Sequence, residues 1–224
     1  LVKQDGVWIL CLSCRMKPIP AISSTKVLGV DIGKVHPIVC SDGKFIGNGR
    51  KNVHKKMEFA KYRKSHQKNN KLKKSSYDKQ SRWTNNENHL LSRELVDHAI
   101  SQGVGVLSIE KLKGQELANK KYRGFVWAFC DLLTKIAYKA ELAGIQVISV
   151  DPHFTSSTCR VCGNQEKSNR LSQGVFACIK CGHTENADVN AAKNILNKAI
   201  GHIGNGVNVN PPTGKGIKPG KTQL

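Results

Sequence analysis

Two cysteine pairs constrain this chain more than any other feature. Cys159 and Cys162 form one C-x-x-C, Cys178 and Cys181 form a second, and 15 residues separate the pairs. Each pair is followed by glycine, in CRVCG and CIKCG. Two thiolates on a tight knuckle grip one face of a tetrahedral ion, glycine lets the knuckle close, and a second knuckle completes a four-sulfur site suited to Zn(II). One structural zinc is expected here. The competing reading is a set of redox or disulfide couples, for which a doubled, glycine-closed knuckle is a poor design. His183, just after the second knuckle, is an alternative ligand or a phosphate contact. Cys11 and Cys14 make a third C-x-x-C inside the apolar run VWILCLSC, with no second pair to complete a site, and read as part of a core strand. Cys40 and Cys130 lie among apolar neighbours and read as buried thiols.

Charge is the second constraint. The 224 residues carry 36 Lys plus Arg against 16 Asp plus Glu, a formal charge of +20. From Arg50 to Arg82 there are thirteen basic residues and two acids, Glu58 and Asp78, so this segment alone holds +11. Met57, Phe59, Tyr62, Leu72, Tyr77 and Trp83 are interleaved with them, and no Pro or Gly interrupts, which predicts helix for much of the stretch. A solvated basic helix is the simpler reading. Such a density of one sign repels itself unless a polyanion neutralises it, and release of phosphate counterions rewards the contact. Arg50, Lys51, Lys55, Lys56, Lys61, Arg63, Lys64, Lys68, Lys71, Lys73 and Lys74 are therefore the candidate nucleic-acid contacts, with DNA and RNA not separable by charge. No apolar run approaches the roughly 18 residues of a membrane span, so no membrane partner is expected.

The remaining pattern predicts an α/β fold. Residues 1–20 hold one apolar run ending in KPIP and look like the tail of a preceding domain, so the chain reads as starting at an interior point. VLGVD (27–31) reads as a strand, and HPIVCSDGKFI as a hairpin around Ser-Asp-Gly, giving three antiparallel strands. NHLLSRELVDHAISQG places Leu91, Leu95, Val96 and Ala99 on one helical face and stops at Gly103. Strand 104–110, helix 125–144 and strand 145–151 follow, and their alternation implies a parallel section with helices packed on it. A last helix is expected over 187–200, then a Gly-, Pro- and Asn-rich flexible tail over 201–224.

In this layout three carboxylates stand at element ends: Asp31 closes the first strand, Glu110 closes the fourth, and Asp188 opens the last helix. Neighbouring strands can bring Asp31 and Glu110 to one sheet edge, and a helix crossing that edge can add Asp188. Singly, each has a simpler reading as a turn residue or a helix cap. Together, three like charges call for divalent cations, and two Mg(II) or Mn(II) ions at such a site can hydrolyse a phosphodiester.

VLGVDIGKVHPIVCSDGKFIGNG, VGVLSIEKLKG and the segment from Val150 through the knuckles to Leu196 resemble the C-terminal nuclease half of the TnpB (OrfB) transposon-encoded proteins. That half is similar to the nuclease half of compact type V CRISPR effectors. The resemblance implies a RuvC-like nuclease of the RNase H fold, a mixed sheet flanked by helices with an inserted zinc ribbon, and RNA-guided cleavage of a DNA target at a single active site. Asp31, Glu110 and Asp188 fall on the three catalytic acids, the four cysteines on the ribbon's ligands, and Thr155 to Ser157 on the segment leading into it. The implied division is a wedge-like remnant over 1–20, a nuclease domain over 21–151 and 184–200, a ribbon over 152–183 and the tail. The family's N-terminal lobe, which grips guide RNA, is represented only by residues 1–20. The stretch before Asp188 is Glu185-Asn186-Ala187 where many members are more acidic and contain arginine. A nuclease-inactive nucleic-acid-binding protein and a transposase that joins DNA ends are the alternatives. Reduced thiol ligands and the lack of a signal peptide suggest a cytoplasmic, nucleoid-associated protein.

Overall fold

The computed structural model describes residues 1–4, 6–10, 12, 20–68, 74–111 and 128–204. At its centre is a five-stranded mixed sheet of order β5-β4-β3-β6-β7. The strands are β3 (Val27–Asp31), β4 (Ile38–Cys40), β5 (Phe45–Ile46), β6 (Val106–Glu110) and β7 (Gln146–Val150). β3, β4 and β5 pair antiparallel as a meander, whereas β3, β6 and β7 run parallel. The parallel members need crossovers, and helices supply them. α1 (Gly49–Lys68) and α2 (Lys74–Ser101) connect β5 to β6, α3 (Phe129–Leu142) precedes β7, and α4 (Ala187–Gly204) ends the described chain.

Side-chain alternation along the strands decides which helix covers which face. Leu28, Val30, Leu107 and Ile109 point to one side and pack with Leu91, Leu95 and Val96 of α2 and Leu132 and Ile136 of α3. The opposite face carries Val106, Ile148 and Val150, covered by Ile195 and Ala199 of α4. α4 comes so close to β3 that a Cβ added at Gly29 would lie 2.2 Å from the carbonyl oxygen of Ala192. Only glycine permits this approach.

Several expectations meet the structure differently. The apolar run from Asn88 is not a helix of its own: it continues α2, which starts at Lys74 inside the basic stretch and runs to Ser101, while the earlier part of that stretch is α1. The last helix extends through Gly201 to Gly204, four residues into what reads as tail. Residues 205–224 lie outside the described residues, as do Cys11 and Cys14. The neighbouring run is not core strand: β1 (Val2–Gln4) and β2 (Val7–Ile9) form a separate two-stranded sheet, with Trp8 65% and Leu12 77% exposed. Two strands alone have no second layer to bury their apolar residues against. Cys40 is buried as expected, but Cys130 is exposed. Cys130 falls between the inward positions Phe129 and Leu132 of α3, so apolar neighbours in sequence do not bury it.

Candidate metal and nucleic-acid sites

Asp31 and Glu110 end adjacent parallel strands, one step beyond the Val30↔Ile109 pair in the register. Their parity matches that of Gly29 and Ser108, so both carboxylates belong to the α4 face of the sheet. The Gly29–Ala192 contact then sets the helix. Asp188 lies one helical turn before Ala192, about 6 Å along the axis, and Asp31 lies two residues beyond Gly29, about 6.6 Å along the strand. These equal offsets bring the third acid to the edge that holds the first two.

The electrostatics register that convergence. Burial, then the negative charges of Glu110 and Asp188, push the Asp31 carboxyl up to about 7, against the opposing pull of Arg170. Asp188 is 8% exposed and its Oδ1 accepts a hydrogen bond from Arg170 Nη2 at 3.2 Å. The Thr155 hydroxyl donates to Glu110 Oε1, and Asn194 of α4 fixes the Thr155 carbonyl at 2.9 Å. Asp188 does not cap its own helix. Asn186 does so, its Oδ1 accepting from the backbone N–H of Asp188 at 3.0 Å and of Val189 at 3.2 Å, which leaves the Asp188 carboxylate turned to the acid edge. Sequence reasoning did not single out Arg170 or Asn186. Arg170 carries no spacing signal, since it reaches Asp188 from the loop between the two knuckles; Asn186 stands one residue before the helix in the usual cap position and was legible.

The knuckles have one geometry repeated. Gly163 N–H donates to the Cys159 carbonyl and Gly182 N–H to the Cys178 carbonyl, both at 2.9 Å, and both glycines have φ of 71°. The sulfurs of Cys159 and Cys181 lie 3.7 Å apart and those of Cys162 and Cys178 3.5 Å. These are not disulfide lengths; four sulfurs around a tetrahedral zinc lie about 3.8 Å from one another. Burial opposes ionisation of Cys178, but the backbone N–H groups of Cys181 and Lys180 outweigh it and bring the thiol to about 6. The residues present fit one zinc ion. His183 does not join the sulfur group; its Nε2 lies 3.6 Å from Glu185 Oε2. The second knuckle sits on a hairpin of β8 (Val175–Ala177) and β9 (Thr184–Asn186). Phe176, fully buried against Cys159, Cys178 and Ala187, forms its small core.

Among the described residues, the groups whose ligand atoms all lie within 4.8 Å are these four sulfurs and Cys40 with Asp42 and His98. The three carboxylates are set wider. Phe154, between β7 and the first knuckle, has φ of 66° and a 56% exposed ring. Its carbonyl accepts from the N–H of Ser157 and of Thr158, a tight reversal that places Thr155 beside Glu110.

The basic segment forms a helical hairpin. Lys51 of α1 meets Glu87 of α2 at 3.4 Å, and the rings of Phe59 and Trp83 lie 6.1 Å apart. Arg50, Lys61 and Lys64 are exposed. Lys55 pairs with Glu58 at 2.7 Å, Arg63 contacts Gln80, and Lys56 is only 8% exposed, so Lys56 is no open phosphate contact. Lys71 and Lys73, and the side chains of Lys68 and Lys74, lie outside what the structure describes.

With this geometry in hand, known proteins can be compared. The Cas12f1-like TNB domain family matches residues 129–195. A CRISPR-associated endodeoxyribonuclease, Cas12f1 of Sulfoacidibacillus thermotolerans, is 33% identical over 214 residues, covering 86% of this chain and 50% of its own length. This chain is a relative of the Cas12f and TnpB-like proteins. A TnpB-like protein of Methanocaldococcus jannaschii is 31% identical over 116 residues, 50% of this chain and 41% of its own. The fold agrees with a Cas12f1 protein solved in complex with sgRNA and target DNA, at TM-score 0.62 and 26% identity over 83% of this chain and 52% of that one. A Cas12f ternary complex gives TM-score 0.63 and 27% identity over 82% and 41%. The chain thus has a Cas12f-like fold, a mixed sheet flanked by helices, and spans about half the length of the Cas12f1 relative. No described helix is long and apolar enough to cross a membrane.

Proposed function

We propose that this chain carries the cleavage centre of an RNA-guided DNA endonuclease: a RuvC-like domain of RNase H type over 21–151 and 184–200, with a zinc ribbon over 152–183 inserted before the last helix. The observation that carries the reading is the convergence of Asp31, Glu110 and Asp188 at one sheet edge, where a single guanidinium leaves Asp31 with its raised pKa of about 7. Mg(II) or Mn(II) held by these acids would activate water and stabilise the leaving oxygen. Thr155 orients Glu110, and Arg170 holds Asp188 in place through the same carboxylate that would meet a cation. Burial and the charges of Glu110 and Asp188 raise the proton affinity of Asp31, and bound cations would lower it. The two knuckles, which a zinc ion held by Cys159, Cys162, Cys178 and Cys181 would close, flank the loop from which Arg170 reaches the edge.

DNA and RNA partners are supported by the complexes in which the similar structures were solved and by the exposed cations of α1. Guide RNA is proposed as a partner only where the rest of a full-length relative is supplied, since the match covers 50% of the Cas12f1 relative's length. The test is cleavage of labelled single- and double-stranded DNA with Mg(II) or Mn(II), comparing the chain with Asp31→Ala and with co-purifying RNA retained or digested. Loss of several kcal/mol of transition-state stabilisation corresponds to about a 10³-fold slower cut in the variant, with DNA affinity kept. Cutting that survives the substitution would sink the catalytic assignment, and cutting indifferent to RNA would sink the guided one. Tight DNA binding with no cutting would leave either a binding protein or a nuclease half that cuts only with the rest of a full-length relative supplied.

A further inference from the structure

Among the described residues, the four knuckle sulfurs and the acid edge leave one cluster of metal-ligating side chains unexplained. Cys40 ends β4, Asp42 follows in the turn to β5, and His98 stands in the last turn of α2. One ligand atom from each lies within 4.8 Å of the others. We propose that Cys40, Asp42 and His98 form a second, exchangeable zinc-type site that clamps the β4–β5 hairpin to α2.

The arrangement goes beyond a surface ion pair in three respects. First, the carboxylate is already oriented: Asp42 Oδ2 lies 2.7 Å from His98 Nε2, while its Oδ1 accepts the Lys44 backbone N–H at 3.1 Å. Second, the donor set of cysteine sulfur, imidazole and carboxylate suits zinc or cobalt, which would have to displace the proton that burial holds on Cys40, and is a poor match for magnesium, which prefers oxygen alone. Third, burial grades across the site. Cys40 is fully buried, whereas the His98 and Asp42 side chains are 17% and 35% exposed. An ion would meet the sulfur on its inner side and water on its outer side. Around a tetrahedral zinc such ligand atoms stand about 3.3 to 3.8 Å apart. The fit asks the Asp42–His98 contact to open slightly and the sulfur to close in. Glu94, one turn before His98 on α2, is paired with Lys44 at 3.6 Å. With three protein ligands and a water, the site binds more weakly than four thiolates.

The consequence is mechanical. β4 pairs with β3 through Val30↔Cys40 and Asp31↔Val39, so an ion at Cys40 would tie α2 to the strand that carries Asp31. An ion bound only by the folded chain stabilises it by mass action.

The test uses the whole chain, titrated with zinc alone after the first equivalent has bound, reading metal per chain and melting temperature. The wild type should take up a second zinc and melt at higher temperature as free zinc rises. Co(II) added to the one-zinc protein should produce a thiolate charge-transfer band. His98→Gln, which leaves the core side chain in place, and Cys40→Ala should each keep one zinc and lose the second, its thermal shift and the band. Cys178→Ser should lose the knuckle zinc and retain the second site, so failure of either site is read separately. A wild type that stops at one zinc, or an unchanged second equivalent in His98→Gln, would overturn the proposal.

Discussion

The cysteine knuckles and the acid edge both gather ligands that repel one another when ionised, and they do so in opposite ways. The four sulfurs come from residues 159–181, close on themselves within 4.8 Å and need little beyond their own turns and Phe176. The three carboxylates come from residues 31, 110 and 188, depend on a glycine contact between a strand and a helix, and are set wider. The first arrangement would be completed by one ion and then inert. The second is held together by the fold against its own repulsion, with Arg170 as partial relief, and stored repulsion of this kind is what makes a site receptive to cations.

Breaking the sulfur side should cost most. Structural zinc contributes about 10 to 16 kcal/mol of apparent binding free energy in small zinc domains, and that energy is folding energy. Cys178→Ser, or chelation, should abolish protection of the 159–186 segment in hydrogen exchange while the five-stranded sheet keeps its own. Equal loss in both regions would show that the two are one cooperative unit. On the acid side, Gly29→Val drives a side chain into the backbone of α4, and overpacking costs about 1 to 3 kcal/mol or more. Its melting temperature should fall, and Asp31 should lose part of its upward shift as Asp188 is displaced, measured by carboxyl NMR titration.

A third effect separates the regions by pH. Asp31 binds its proton up to about 7 in the folded chain, against an ordinary 3.8. Between those values the folded state holds a proton that the unfolded state has released, so stability falls as pH rises through this window. Glu110, Asp188 and Arg170 are the charges facing it. Asp31→Asn should flatten the metal-free stability profile between pH 4 and 7, and saturating Mg(II) should do the same for the wild type; a wild-type slope that persists in the variant assigns it elsewhere. The smallest effect is expected at Phe154, where glycine relieves a left-handed backbone and little burial is lost. Phe154→Gly should shift stability by no more than about 1 kcal/mol in denaturant melts.

What the sequence revealed follows the same division. The knuckles were legible because ligands and turn glycines are contiguous, and the strand ends at Asp31 and Glu110 because apolar runs stop there. The Asp31–Asp188 approach was legible only as a possibility of topology; its cause, Gly29 against Ala192, looks like any glycine in a strand. Arg170 was invisible because a loop arginine gains meaning only from what it reaches. The exposure of Trp8 and Cys130 was missed because apolar neighbours in sequence say nothing about whether a second layer exists to cover them. α2 was cut short because its charge changes at Asn88 while its backbone does not.

The Gly29 contact also orders events during synthesis. A growing chain holds Asp31 and Glu110 in its early strands, but the third acid sits on α4, which can dock on β3 only after residue 192 and its neighbours have cleared the ribosome. Until then the edge has two of its three carboxylates and no helix to seat the last. The acid edge is therefore a late part of the fold to exist, and a chain made only as far as β7 cannot possess it.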